Sequence, residues 1–452
     1  MLMNISIRQV LQLNWLVLAF SLAMPYQAVY SETSLPYEST HSRLGVVTCA
    51  SAKCHGAIEE KSTTRILQNE YVLWSREDPH SKAYKHLFTD QSKKIAKRLG
   101  ISKPEQDDLC LDCHTHNVAR AFQGPRFRLD SGVDCEVCHG PSEKWIETHT
   151  VEDRSYQDNV DEGLYPIVKP LARARLCYSC HIGKGKQFLD HQLYGAGHPR
   201  LRFELDNFSA TQPAHFLIDK EYVERKGEVS NLKMWFAGQL ISGEYFLNNL
   251  LDSSIRSQGL SVELSLLDCH SCHHSFEQEN WRSVAHQPLK PGVLRFNDTS
   301  LFMTHLALQA LGHSEAKSLV KGLQGLHAAS GQGWPEVDKK ARQLQSIVKQ
   351  LTGEFDQLEF QSTHVKALIK GLLQAGKGPV VRDLLLAEQI AWGLEASLYF
   401  AQGIGMISDS QLGSLDKDLS IIFQLITEEK KYSAVSFRKA VKQMSIKLNK
   451  II

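Results

Sequence analysis

Apolar residues recur at helical spacing through the last third of the chain. Val337, Ala341, Leu344, Val348 and Leu351 alternate steps of four and three, and Phe437, Val441, Met444 and Leu448 repeat the pattern, which predicts two amphipathic helices. Val365 to Leu373 and Leu384 to Phe400 predict two more, separated by Gly376-Lys-Gly-Pro379 and followed by Gly403-Ile-Gly405. Such stripes are what a helical bundle buries, so residues 300–452 are expected to form an α-helical domain. At the other end, Val10 to Ala23 is an apolar run behind Arg8, broken only by Gln12, Asn14 and Ser21. It is shorter than the about 20 apolar residues a bilayer span needs. It therefore reads as an export signal over residues 1–31, with cleavage after Ser31 or, alternatively, after Ala23.

Residues 32–299 show neither period for long. Gly140-Pro141, Gly183, Gly185, Gly195, Gly197-His198-Pro199 and Pro291-Gly292 interrupt every helical pattern, and no apolar alternation of a sheet is present. The expected fold is mainly α, with short helices and loops here followed by the longer C-terminal helices. At 42% hydrophobic and 22% charged residues in 452, the chain has the balance of a folded protein. Lys plus Arg (51) nearly equal Asp plus Glu (50), so there is no field that would gather nucleic acid. The unusual residues are ten Cys and twenty His. Every Cys lies between Cys49 and Cys272, and sixteen of the His precede residue 287.

Those Cys form five pairs, each followed directly by His. Cys110-Leu-Asp-Cys113-His114, Cys135-Glu-Val-Cys138-His139, Cys177-Tyr-Ser-Cys180-His181 and Cys269-His-Ser-Cys272-His273 are C-x-x-C-H, and Cys49-Ala-Ser-Ala-Lys-Cys54-His55 keeps the ending with two residues inserted. C-x-x-C-H is the attachment site of c-type haem. Two thiols add to the two vinyl groups of one porphyrin, and the next residue offers imidazole to the iron. Zinc also takes C-x-x-C pairs, and an oxidising compartment favours disulfides, but neither requires His after the second Cys. Five covalently bound haem c groups are therefore expected, with His55, His114, His139, His181 and His273 as proximal ligands. With so little polypeptide for each haem, the porphyrins must supply much of the core.

Whether a haem conducts or catalyses depends on its sixth position. Five further His have suitable settings. His80 follows the helix start Asp78-Pro79, and His149 lies one turn beyond Trp145. His191 and His198 flank Gly195-Ala-Gly197, and His215 follows Gln212-Pro213-Ala214. His86 points away from the face of His80. His116, His270 and His274 are too close to their own proximal His, though a neighbouring haem is within their reach, and His41 and His286 are reserves. His305, His313, His327 and His364 fall in amphipathic helical sequence. The cluster Lys82, Lys85, Lys93, Lys94, Lys97 and Arg98 reads as a solvated helix face, with a docking patch for an acidic partner as the alternative.

At these residues the chain resembles the multihaem cytochromes of the cytochrome c-554 family, relatives of hydroxylamine oxidoreductase and the pentahaem nitrite reductase cytochromes. The resemblance runs from about residue 45 to 300. It rests on Cys49 to Gly56, Asp78 to Tyr84 (DPHSKAY), Val133 to Pro141 with Trp145 and His149, and Asp190-His191. Ala196 to Glu204 (AGHPRLRFE), Pro213 to Phe216, and Asp268 to His274 with Trp281-Arg282 complete it. It implies distal ligands at His80, His149, His191, His198 and His215, closely spaced haems and electron conduction. The nitrite reductases' proximal Lys is absent, and hydroxylamine oxidoreductases carry more haems and a cross-linked tyrosine, so those activities do not transfer.

The expectation is thus a pentahaem cytochrome c domain over residues 32–299 of a periplasmic electron carrier, with mostly bis-His haems. Its partners are redox proteins, either other cytochromes or a quinol-linked donor, with no nucleic acid and no membrane span after signal cleavage. The alternatives are an oxidoreductase acting on a small nitrogen or sulfur compound at one open haem, and a scaffold or electron-transfer subunit of a larger respiratory complex.

Overall fold

The structure, a computed structural model, describes residues 34–61, 66–258, 261–273, 293 and 295–452. The expected export signal, His274, His286, Trp281-Arg282 and Pro291-Gly292 lie outside the described residues. The protein is mainly helical. Among the described residues, strand is confined to the antiparallel pair Ser257–Gln258 and Ser261–Val262 and two isolated bridges. No described helix is long and apolar enough to cross a membrane.

Up to residue 226 the helices are short, among them Glu70–Glu77, Asp90–Leu99, Asp108–His114, Cys135–His139, Pro170–Tyr178, His191–Ala196 and Leu205–Thr211. Aspartates start several of them. The Asp107 and Asp134 carboxylates accept backbone N–H groups of the first turns of the helices ending at His114 and His139, which satisfies donors that a helix N-terminus leaves open. From residue 299 the helices lengthen to Thr299–Leu311, Glu315–Ala329, Trp334–Glu354, Ser362–Lys377, Leu384–Gly403, Asp409–Thr427 and Ala434–Leu448. Val337, Ala341, Leu344, Val348 and Leu351 are all buried, as are Phe437, Val441, Met444 and Leu448.

One element departs from the short-helix expectation for residues 32–299. Asn231–Leu251 is a 21-residue helix with fourteen buried residues. It is apolar nearly all round and so has no amphipathic period to read. It packs against Pro170–Tyr178 and Leu205–Thr211 on one side and against Thr299–Leu311, Trp334–Glu354 and Leu384–Gly403 on others. At Gly243 a Cβ would lie 2.5 Å from Leu301 Cδ2, so the glycine makes room for this side chain, which would have to shift for any larger residue. The main apolar core draws on residues from Ala174 to Leu448, and residues 34–452 form one compact unit.

The long helix also holds the functional region. Tyr245 donates its hydroxyl to the Arg175 carbonyl at 2.8 Å, Asn249 donates to the Gly183 carbonyl at 3.0 Å, and Glu244 pairs with Arg175. These contacts bracket the segment that carries Cys177, Cys180 and His181.

Candidate functional site

The five Cys-His sets, numbered 1 to 5 along the chain, are built as single turns. In sets 2 and 3 the sequence C-x-x-C-H forms the end of a capped short helix, so both thiols and the imidazole emerge within about one turn of 3.6 residues. In set 4 the Pro170–Tyr178 helix runs on into a π-helical turn, Ser179–Gly183, that presents Cys180 and His181. Set 5 begins a 3-10 turn at Cys269, capped by Asp268. Set 1 closes its longer loop with hydrogen bonds from Cys54 N–H to the Ser51 carbonyl (2.8 Å) and from His55 N–H to the Cys49 carbonyl (3.2 Å).

Each set's His faces one of the five His singled out for their settings. The ring centroids of His55 and His149 are 6.4 Å apart, those of His114 and His198 6.5 Å, and those of His139 and His215 6.3 Å. His181 and His80 are 6.3 Å apart, and His273 and His191 6.4 Å. No hydrogen bond explains so uniform a spacing. A metal bonded to one nitrogen of each of two opposed imidazoles, at about 2.0–2.1 Å, sets their centroids about 6.4 Å apart. The interplanar angles fall into two groups: 18° at site 1 and 34° at site 5, against 80°, 87° and 86° at sites 2, 3 and 4.

The rings are oriented from behind. Nδ1 of His55 meets a Glu70 carboxylate oxygen at 3.0 Å, and Nδ1 of His80 meets Asp78 at 2.9 Å. Nδ1 of His114, His149 and His198 faces the carbonyls of Ala83, Ile146 and Pro199 at 3.0, 2.6 and 2.8 Å. An acceptor at Nδ1 fixes the proton there and leaves Nε2 bare to bind a metal, the arrangement usual behind ligating His. Burial pushes the imidazoles of His139 and His181 down to about 3 and about 4, so both are neutral, as a ligand must be.

The space between the rings has the size of the expected cofactors. Sites 1 to 4 open on one cavity of about 2340 Å³, lined by their eight Cys, four proximal His and His80, His149, His198 and His215. Small-ligand pockets take up roughly 300–1,000 Å³, so this volume accommodates several large groups. Trp145 Nε1, Arg154 Nε and Asn159 Oδ1 are buried without a hydrogen-bond partner and belong to residues lining the same cavity. Cys269, Cys272 and His273 line a separate cavity of about 660 Å³. All ten Cys are free thiols, and burial pushes those of Cys110, Cys177 and Cys269 up to about 11. Among the described residues no group of three or more His, Cys, Asp or Glu is arranged to hold a metal ion.

Neighbour relations order the sites. The thiols of Cys49 and Cys135 are neighbours, which puts sites 1 and 3 side by side. Cys138 and Cys177 lie within electrostatic range, joining 3 and 4, and the thiols of Cys113 and Cys180 are neighbours, joining 4 and 2. His191 of site 5 and His198 of site 2 flank one short helix, His191–Ala196, whose Tyr194 is in range of Cys269. The order is 1, 3, 4, 2, 5.

Other residues behave as structure. His116 is buried between Asp134 (3.2 Å) and Arg43 (3.4 Å), and His327 is buried on Asp298 at 2.9 Å. Sequence reasoning passed over Glu136, the second residue of set 3. It is buried and accepts from Leu44 N–H, Gly45 N–H, and the Ser142 N–H and hydroxyl at 2.7–3.0 Å, tying the segment before site 1 to site 3. It also passed over the C-terminal segment's part in the fifth cavity, which Val380, Asp383, Leu384 and Tyr432 help to line.

The family model of cytochrome c554 and c-prime matches residues 48–140, the stretch containing sets 1 to 3. No curated protein matches the chain, and no solved structure does.

Proposed function

Taking the chain as a c-type cytochrome of the cytochrome c554 and c-prime family, we propose that it is a periplasmic pentahaem electron carrier with two imidazoles at every iron. The observation that carries this reading is the set of five His–His pairs at 6.3–6.5 Å, each joining the His of one Cys set to a His from elsewhere in the chain. When bound, each haem supplies a one-electron couple. The Cys pairs hold the porphyrins, the paired His fill both axial positions, and the Nδ1 acceptors keep the rings aimed. With both positions filled from the chain, the reading is conduction rather than catalysis. The site order makes the route 1, 3, 4, 2, 5, with the two near-parallel ring pairs at its ends. The export signal expected over residues 1–31 supports a compartment where haem is attached to thiols.

Protein matured with a haem-attachment system should carry five covalent haems by intact mass, retain haem stain on a denaturing gel, and be wholly low-spin when oxidised. Zinc, or a mass accounted for by disulfides, would end the haem reading. Four haems would mean that the Cys49 set is unused. A high-spin iron binding added ligand would favour an enzyme.

A further inference from the structure

The C-terminal segment carries no Cys, yet it reaches the haem region through one buried carboxylate. Glu388 lies in the apolar helix Leu384–Gly403 and is 1% exposed. Its Oε2 accepts from Arg200 Nη1 at 2.9 Å and its Oε1 from Arg200 Nη2 at 2.7 Å, a bidentate pair. The same Oε1 is 2.6 Å from Arg202 Nε, and Glu429 adds a longer contact of 3.6 Å to Arg200. A carboxylate buried on an apolar helix is costly unless fully paired, and here both its partners come from the segment that follows His198.

That segment faces two sites. His198 is paired with His114 at site 2. Arg200 lines the fifth cavity with Asp268, Cys269, Cys272 and His273, and its guanidinium is in electrostatic range of the Cys269 thiol. Arg200 therefore brings a fixed positive charge to site 5, and Glu388 both aims that charge and neutralises it.

We propose that Glu388 is a positioning residue for site 5: by clamping Arg200 and Arg202 it fixes the charge facing the fifth haem and so sets that haem's reduction potential. The proposal rests on the haem reading above. An uncompensated positive charge favours the reduced, less positive iron, and an uncompensated negative charge favours the oxidised form. Glu388→Gln leaves Arg200 and Arg202 short of one negative charge, so the potential at site 5 should rise. Arg200→Met removes one positive charge while Arg202 stays on Glu388, so it should fall. The double variant restores the balance and should return close to the original value.

The experiment is a redox titration of the five-haem protein followed by electron paramagnetic resonance. The site 5 component is identified as the one converted to high spin by His191→Ala. Haem count and spin state of the unaltered protein test the haem reading separately, before any charge variant is made. Opposite shifts in the two single variants, confined to site 5 and cancelling in the double variant, are the expected result. Shifts of the same sign, equal shifts at all five haems, or no shift would overturn the proposal. Should Glu388→Gln fail to mature with five haems, Arg200→Met carries the test alone, since a fall at site 5 with the other four unchanged is required and any other pattern refutes it.

Discussion

The two classes of ring geometry give the ligand assignment a spectroscopic test. When two axial imidazole planes are nearly parallel, both donate into the same iron dπ orbital and split the pair, which produces a rhombic low-spin signal. When the planes are perpendicular the two orbitals stay nearly degenerate, and the signal is strongly axial with one feature at very low field. The angles of 18° and 34° at sites 1 and 5 predict two rhombic haems, and 80°, 87° and 86° at sites 2, 3 and 4 predict three strongly axial ones. His149→Ala removes the 18° pair. The rhombic intensity should then fall by about half, with one high-spin haem appearing and the axial signals untouched. His198→Ala removes one of the three perpendicular pairs, so the axial intensity should fall by about a third and the rhombic signals should remain. His86→Ala should change neither. The assay is spin-quantified electron paramagnetic resonance of the oxidised protein, normalised to covalently bound haem. Loss of axial intensity in the His149 variant would refute the pairing, and five like signals in the unaltered protein would refute the geometry itself.

Two further outcomes follow from the scaffold. Glu136→Ala orphans three buried donors, the Gly45 N–H and the Ser142 N–H and hydroxyl, and the half-buried Leu44 N–H; at about 1–3 kcal/mol for each buried unsatisfied group, the loss should be at least about 3 kcal/mol, and denaturant unfolding of the haem-loaded protein showing less than about 1 kcal/mol would contradict it. Burial, against the pull of backbone hydrogen bonds from Asn207 and Asp206 and with some repulsion from Glu395, pushes Glu204 up to about 7, and burial with repulsion from Glu204 and Glu395 pushes Asp206 up to about 8. Carboxyls whose folded values are raised above an unfolded value of about 4 contribute stability at low pH that is lost as pH rises through the folded values. The unfolding midpoint should therefore drop between pH 5 and pH 9 and drop less in Asp206→Asn; an unchanged midpoint, or the same slope in the variant, counts against the burial of this cluster.

What the sequence disclosed depended on whether a feature was local. The five Cys-His sets, the Asp78-Pro79 start before His80 and the Trp145–His149 step are all written within a few residues, and the structure builds each as a local turn or short helix. Which His faces which is not local. In four of the five pairs at least one other attachment set lies between the two partners, so no spacing rule reaches it. The Asn231–Leu251 helix escaped notice because it is apolar on nearly every face and leaves no period. Glu388 did leave a signal, a lone acid in the run from Leu384 to Ile390, and such a residue demands a cation from another part of the fold.

This interleaving bears on how the haem-binding part of the chain is stabilised. Outside the main core, the described residues hold one small apolar cluster, Leu35, Tyr165, Ala172 and Leu176. Before Ala174 the other buried apolar residues, Val46, Leu67, Leu87, Leu111 and Trp145 among them, stand outside both clusters, so apolar burial among that stretch's own side chains is sparse. The main core begins at Ala174 and draws chiefly on the Asn231–Leu251 helix and the helices after residue 299. On the haem reading, the shortfall is made up by porphyrins filling the large cavity and by paired His that close loops across it, each cross-link shortening the others because the loops overlap. The helices that carry no Cys then have a structural reason to share one compact unit with the sites. Through Tyr245, Asn249 and Glu388 they hold the site 4 helix and the segment after His198 in register, giving the cofactors a rigid wall on which to assemble.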